Sequence, residues 1–118
     1  ARAKSLNLSA DKAYKNNQFE QASMLYQQSI DYNPNVGQTY SNLAVSYQKL
    51  NRSSEALWAN LKAIALATND NTKAYSHYNI GRIYENDQDF NQAKHHYQLA
   101  NQYKPSPAYD EAIQRVNR

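Results

Sequence analysis

Small and apolar residues recur along this chain at steps of three and four, the spacing of one helical face. The stretch 77–105 shows it best, because two such patterns flank the polar break 86–89. The two faces carry, in chain order, His77, Ile80, Gly81 and Tyr84, then Phe90, Ala93, Tyr97 and Ala100. The break is rich in residues that turn the chain and cap a helix, and Pro105 ends the second pattern. The stretch therefore predicts two helices joined by a short turn.

The same pair of patterns occurs three times. The small residues of the first helices are Ala10, Ala44 and Gly81, and those of the second helices are Ala22, Ala56 and Ala93. Both series are spaced by 34 and then 37 residues. Two helices cross closely only where side chains are small, so these positions mark the crossings. One hairpin cannot bury its apolar face alone, so the sequence predicts a stack of about three.

Turn residues set the predicted ends of the helices, which span about 4–15, 19–31, 38–49 and 54–67 in the first two hairpins. Asn51 is expected to end one helix in the left-handed conformation, and Ser53 to cap the next. Three extra residues within 68–72 account for the longer second spacing. Ser106 and Pro107 are expected to cap and start a last helix, 107–116.

The last helix is expected to cover the open end of the stack with Ala108, Ile113 and Val116. Its polar residues, Asp110, Glu111, Gln114 and Arg115, are expected to face water.

A period near 34 built from paired helices resembles the tetratricopeptide repeat (TPR) family. The third copy matches the family pattern best, at Ile80, Gly81, Tyr84, Ala93, Tyr97 and Pro105. Departures are His77 for tryptophan, Asn60 for an aromatic residue, Thr68 for proline and Ala13 for tyrosine. The resemblance implies an all-α, right-handed α-solenoid of seven helices, with three hairpins and a capping helix. It implies one domain, 1–118, with repeats at about 3–36, 37–70 and 74–107 and the cap at about 107–117.

Composition excludes several classes of function. The net charge of +3 argues against a nucleic-acid partner, and the absence of cysteine removes thiol chemistry and disulfides while leaving the compartment open. The longest apolar run, 63–67, is far too short to span a membrane. The opening residues, Ala-Arg-Ala-Lys, are expected to belong to an excised domain or a mature fragment.

Catalytic and metal-binding patterns are missing from the sequence. Neither glycine lies in a phosphate-binding loop. His95 and His96 are adjacent, so on a helix they point about 100° apart and need a third ligand to share a metal. We therefore expect no enzyme activity, catalytic residue, metal or cofactor.

The resemblance implies a binding groove, because in this family the first helix of every hairpin lines a concave surface that holds a peptide segment or partner helix. The corresponding positions hold Lys4, Asn7, Asp11, Lys15, Gln38, Ser41, Asn42, Val45, Lys49, Tyr75, Tyr78, Asn79, Arg82 and Asn86. Asn42 and Asn79 occupy equivalent places and are expected to be exposed, where each could bond to a ligand main chain. Each position is equally consistent with a solvated helix face.

One ligand class is disfavoured by these residues. The family members that capture acidic chaperone C-terminal tails hold two carboxylates with lysines, asparagines and an arginine. Asn42 matches one such place, but the others hold Asn7, Asp11, Tyr75 and Asn79, with no cation. Asp11 would repel a carboxylate, so we do not expect acidic chaperone tails to bind.

A second surface is the alternative interface. Trp58 lies one step past the predicted packed line of Leu57, Leu61 and Ile64, beside Lys62, and Met24 holds the equivalent place in the first repeat. Such an apolar patch can serve self-association or assembly within a larger protein. RNA binding by related helical repeats is a third reading, disfavoured by the small surplus of cations.

Overall fold

The computed structural model describes residues 2–117 and contains seven α-helices over that range. They are α1 (Arg2–Lys15), α2 (Phe19–Tyr32), α3 (Gly37–Lys49), α4 (Ser53–Leu66), α5 (Asp70–Asn86), α6 (Phe90–Tyr103) and α7 (Pro107–Val116). The all-α prediction is confirmed, and the stated helix ends agree to within two residues. The terminal residues of the predicted domain, Ala1 and Arg118, lie outside the described residues.

Successive helices pair into three hairpins, and each hairpin also packs on the next. The pairs are α1 with α2, α3 with α4, and α5 with α6, while α7 packs against α6. The stack measures 45 × 27 × 21 Å. None of the helices within residues 2–117 is long and apolar enough to cross a membrane.

The helix crossings lie at the small residues that the repeat spacing marks. Ala10, Ala22, Ala44, Ala56 and Ala93 are all fully buried. Tyrosines and aliphatic residues pack around them, and the largest core cluster includes the side chains Tyr26, Leu43 and Tyr47. The predicted register of the hairpins is therefore correct.

The turn within each hairpin contains one residue with left-handed backbone, namely Asn17, Asn51 and Gln88, with φ of 61°, 60° and 62°. The prediction for Asn51 is confirmed. The prediction that Ser53 caps α4 is wrong, because Ser53 is the first helical residue and no side chain caps this helix at Arg52. Hydrogen bonds between backbone groups close the turn instead, from the amide of Arg52 to the carbonyl of Tyr47.

The three extra residues between the second and third hairpins lengthen a helix. Asn69 Oδ1 accepts a hydrogen bond of 2.8 Å from the amide of Thr72, so α5 begins at Asp70 and runs for 17 residues. An asparagine cap at this position satisfies one of the free amides of the first turn.

Helix α7 covers the stack with Val116 and Ile113, as expected, but Ala112 is buried where Ala108 was predicted. Ala112 and Val116 are buried in a cluster with Ala93 and Tyr97, whereas Ala108 is exposed. The predicted Ser106 cap is confirmed, since its Oγ accepts from the amide of Ala108.

Arg115 does not simply face water as expected. Its Nε lies 2.7 Å from Glu85 Oε2, which joins α7 to α5.

Replacing Gly81 by alanine is expected to destabilise the third hairpin. A Cβ at this position would lie 2.5 Å from Cε1 of Tyr97, which is fully buried and donates a hydrogen bond to Glu85. Overpacking of this kind costs about 1–3 kcal/mol, although helix propensity alone favours alanine by about 1 kcal/mol. Urea unfolding gives the free energy of unfolding of Gly81→Ala and hence the net result of overpacking and helix propensity. Gln98→Ala, at an exposed position, is the control. A Gly81→Ala variant more stable than wild type would contradict this packing.

Candidate functional site

The first helices of the three hairpins, α1, α3 and α5, form one side of the stack, here called the inner face. Side-chain hydrogen bonds join them: Asn7 Nδ2 to Thr39 Oγ1 at 3.2 Å, Ser41 Oγ with Ser76 Oγ at 2.7 Å, and Thr72 Oγ1 to Gln38 Oε1 at 3.2 Å. Short polar side chains thus hold neighbouring inner helices together. The hydrogen-bonding groups that they use are no longer available to a ligand.

A cavity of about 180 Å³ opens on this face. Its lining residues come from all three inner helices and from α2, and they are Asp11, Tyr14, Lys15, Tyr26, Asn42, Val45 and Tyr75. Val45 is buried and contributes the apolar part of the wall, while the others contribute polar groups. The cavity brings together five of the predicted groove residues from three separate helices.

The carboxylate in this cavity is already engaged by the fold. Tyr26, on α2, donates a hydrogen bond to Asp11 Oδ1. Burial raises the pKa of the Tyr26 phenol well above its ordinary value, and the hydrogen bond to Asp11 and its charge act in the same direction. The phenol therefore remains a neutral donor that holds the Asp11 side chain.

Arg82 lies close to the tyrosines of the cavity. Burial raises the pKa of both Tyr75 and Tyr14, and the charge of Arg82 acts against that rise in each. Its guanidinium is 5.8 Å from the ring centre of Tyr78, and the side chain is exposed. The charge of a cation on α5 thus acts on a phenol on α1.

Asn79 does not occupy the exposed position expected from the sequence. It is 1% exposed, and its Nδ2 lies 3.5 Å from Oδ1 of the fully buried Asn60. Asn79 also lies close enough to the Tyr75 hydroxyl to lower the pKa of that phenol against the effect of burial. Asparagine at position 60, where the family expects an aromatic ring, gives Asn79 a polar partner inside the stack. Asn79 is therefore buried beside Tyr75 and cannot contact a ligand directly.

Three other predicted groove residues are engaged within the fold. Ser41 is fully buried, Asn7 bonds to Thr39, and Gln38 bonds to Thr72 and to Asn42 Oδ1. The Nδ2 of Asn42, by contrast, has no hydrogen-bond partner among residues 2–117. The predicted residues that remain exposed on α1, α3 and α5 are Lys4, Lys15, Gln38, Lys49, Tyr75, Arg82 and Asn86.

Tyr78 contributes mainly to packing. Its ring centre is 5.6 Å from that of Tyr97 and 5.2 Å from that of Tyr109 on α7, so it joins α5 to both α6 and α7. Sequence reasoning missed Tyr109 and Tyr14 as inner-face residues. Tyr14 could have been found, because it lies three residues after Asp11 on the same face of α1.

The predicted second interface is exposed. Trp58 is 50% and Met24 52% exposed, and the edge of the Trp58 ring packs on Tyr40 at 5.9 Å between ring centres. Lys62 Nζ lies 5.9 Å from the centre of the same Tyr40 ring. The prediction that Leu61 is packed is wrong, because it is 53% exposed and lies beside Trp58 on the outer surface of α4.

The histidines form a hydrogen-bonded pair between α5 and α6. The Nδ1 atoms of His77 and His96 are 3.1 Å apart, so one ring donates and the other accepts. Within the described part of the chain, no group of three histidine, cysteine, aspartate or glutamate side chains could hold a metal ion. Burial lowers the pKa of His77 and lowers that of His96 to about 4, and neighbouring histidines act in the same direction. No carboxylate opposes these effects at either ring.

Acid is expected to destabilise the domain through this pair. Because the folded-state pKa of His96 lies below the ordinary 6.5, the unfolded chain binds more protons between pH 6.5 and about 4. Stability is therefore lost as the pH falls through that window, by about 1 kcal/mol between pH 7 and 5 after allowance for solvent screening. Urea unfolding at the two pH values measures the loss. The loss should shrink in His96→Gln and persist in His95→Gln; equal losses in both variants would contradict the assignment.

Asn79 and Asn42 offer a matched pair of substitutions at equivalent places in two repeats. Asn79→Ala leaves Asn60 without its partner inside the stack, so it is expected to cost about 1–3 kcal/mol of stability. Asn42→Ala is expected to change stability by no more than about 0.5 kcal/mol, because the side chain lies at the surface of the cavity. Chemical denaturation of both variants tests this difference. Equal stabilities would contradict the buried hydrogen bonds of Asn79.

Comparison with protein-family models gives two matches, both to the tetratricopeptide repeat, over residues 25–57 and 74–107. The second coincides with the third predicted repeat, and the first runs from α2 into α4. Together they cover more than half of the chain. No curated protein matches the sequence.

Solved structures with a similar fold include the Arabidopsis OM64 TPR domain, with a TM-score of 0.92, 20% identity, and coverage of 98% of this chain and 94% of that one. The TPR2B domain of yeast Sti1, in its pHsp70 complex, has a TM-score of 0.90 at 17% identity. The match covers 98% of this chain and 96% of that one. The second TPR domain of human RPAP3, in complex with the HSP70 peptide SGPTIEEVD, has a TM-score of 0.87 at 19% identity, covering 99% and 96%.

The repeat matches, the crossings at small residues and the stacked hairpins agree with one another. The chain belongs to the tetratricopeptide repeat family, whose domains are non-enzymatic protein-interaction modules.

Proposed function

We propose that this domain binds a segment of another protein along the inner face, with the cavity between α1, α3 and α5 as the anchoring site. The observation that carries the proposal is the cavity itself, because three separate hairpins contribute polar groups to it. A concave site with apolar walls and a few convergent polar groups is the usual form of a binding site.

Several groups around the cavity have bonding capacity that the fold does not use. Lys15 and Arg82 form no ion pair with any of residues 2–117, and the hydroxyl of Tyr14 and the Nδ2 of Asn42 form no hydrogen bond with them. These groups, with Val45 and Tyr75, are the contacts that we assign to the ligand. Asn7, Ser41 and Asn79 support the helices that present these contacts.

The similar structures in complex with peptides support a peptide-binding groove as a use of this fold. Their identity to this chain is below 20%, so they do not transfer a ligand. Where a clamp for an acidic chaperone tail would need cations, this chain has Asn7, Asp11, Tyr75 and Asn79. The proposal therefore does not include such tails.

Self-association through the outer surface of α4 is the second candidate. Trp58 and Leu61 are each about half exposed and lie nearly one helical turn apart. Exposed apolar side chains in this arrangement can pack against a second copy of the domain or against another part of a larger protein. Sedimentation over a range of protein concentrations tests this candidate separately.

Titration of a captured partner against single-site variants tests the inner-face proposal. A partner recovered with the isolated domain is purified and titrated against wild type, Asn42→Ala, Arg82→Glu and Trp58→Ala. Asn42→Ala is expected to weaken binding by about 1–3 kcal/mol, because a partner carbonyl loses its donor on burial. Arg82→Glu is expected to weaken the binding of an acidic partner and to strengthen the binding of a basic one. Added salt should reduce either change, because it screens the charges. If Asn42→Ala and Arg82→Glu bind the partner normally and Trp58→Ala does not, the binding site lies on the outer surface and the inner-face proposal is wrong.

A further inference from the structure

We infer that the inner face takes a proline-rich segment in an extended, polyproline-II-like conformation, with acidic residues beside the prolines. This inference rests on the proposed function and specifies the chemistry of its ligand. Its evidence is the balance of hydrogen-bond donors and acceptors, the aromatic walls and the unpaired cations of the inner face.

Donors outnumber acceptors around the cavity. The Nδ2 of Asn42, the hydroxyl of Tyr14 and the guanidinium of Arg82 have no hydrogen-bond acceptor within the described residues. Fewer acceptors remain free, because Asp11 Oδ1 accepts from Tyr26 and Asn42 Oδ1 accepts from Gln38, which leaves Asp11 Oδ2. A complementary ligand therefore brings acceptors and few donors.

Proline meets this requirement better than any other residue. It keeps the backbone carbonyl and has no backbone N–H, and a polyproline II segment has no internal hydrogen bonds, so its carbonyls point outward. An ordinary extended segment would bring one N–H for every carbonyl, and the inner face offers few free acceptors for them. A helical ligand uses its own carbonyls and would leave the donors of Tyr14 and Asn42 without partners.

Tyrosine rings supply the surface on which prolines pack. Tyr14 and Tyr75 line the cavity, and Tyr75 is 37% exposed. Tyr78 and Tyr109 continue the aromatic surface from α5 onto α7, with ring centres 5.2 Å apart. Grooves lined with aromatic side chains recognise polyproline II segments, which lose little conformational freedom on binding.

The charges near the cavity favour acidic residues in the same segment. Lys15 and Arg82 are exposed and form no ion pair in residues 2–117, although the charge of Arg82 contributes to lowering the pKa of Glu85, which is paired with Arg115. Asp11 is the one carboxylate that lines the cavity. Within the lining, Lys15 and Asp11 balance each other, so the positive surplus comes from Arg82 beside the cavity, and it complements glutamate or aspartate next to the prolines.

The probe is a dye-labelled, end-blocked ten-residue peptide of eight prolines and two central glutamates, titrated against the domain by fluorescence anisotropy. One control peptide replaces the prolines with alanine, and another replaces the glutamates with lysine. Both controls are expected to bind at least about tenfold more weakly than the probe. Tyr75→Ala is expected to lower the affinity for the probe about tenfold, and Tyr14→Phe several-fold. Trp58→Ala is expected to leave the affinity unchanged.

Other outcomes overturn distinct parts of the account. Equal binding of the proline and alanine peptides, still reduced by Tyr75→Ala, would overturn the ligand class and leave the inner-face function standing. Failure of the probe to bind at millimolar concentration would also overturn the ligand class, and the titration with a captured partner then decides the proposed function independently. Binding lost in Trp58→Ala and kept in Tyr75→Ala would overturn both.

Discussion

Close crossing of helices at alanine and glycine is the constraint on which the rest of this structure depends. The buried alanines at 10, 22, 44, 56 and 93 let the two helices of each hairpin approach, and tyrosines fill the space beside them. Where the crossing residue is Gly81, the ring of Tyr97 lies directly over it and reaches Glu85. Glu85 in turn pairs with Arg115, which joins α7 to the same hairpin.

Polar contacts between inner helices decide which groups the inner face can offer. Ser41 and Ser76 are buried against each other, and Asn7 bonds to Thr39, so these residues hold α1, α3 and α5 in place. Inside the stack, Asn79 bonds to Asn60 and lies close to Tyr75, which lines the cavity. The same contacts that stabilise the stack therefore prepare the proposed site.

The fold could be predicted from the sequence because it depends on local signals. The spacing of small residues gave the crossings, and Asn51, Ser106 and Pro107 marked helix ends through their own backbone preferences. The site could be predicted only in part. Asn42 and Asn79 hold equivalent places, yet one lies at the cavity and the other is buried, because Asn60 on another helix gives Asn79 a partner. The exposure of Leu61 depends on the exact rotation of α4, which periodicity does not fix.

The central claim is tested most directly by nuclear magnetic resonance. The ¹⁵N-labelled domain is titrated with the captured partner, and the chemical shifts of its amides are followed. The account predicts shifts at the backbone amides of Tyr14, Asn42, Tyr75 and Arg82, which lie on three different helices around one cavity. Trp58 is the only tryptophan, so its indole N–H is an unambiguous reporter of the outer surface and is expected to remain unchanged. A shift of the Trp58 indole and the Leu61 amide, with the inner face unaffected, would contradict the account.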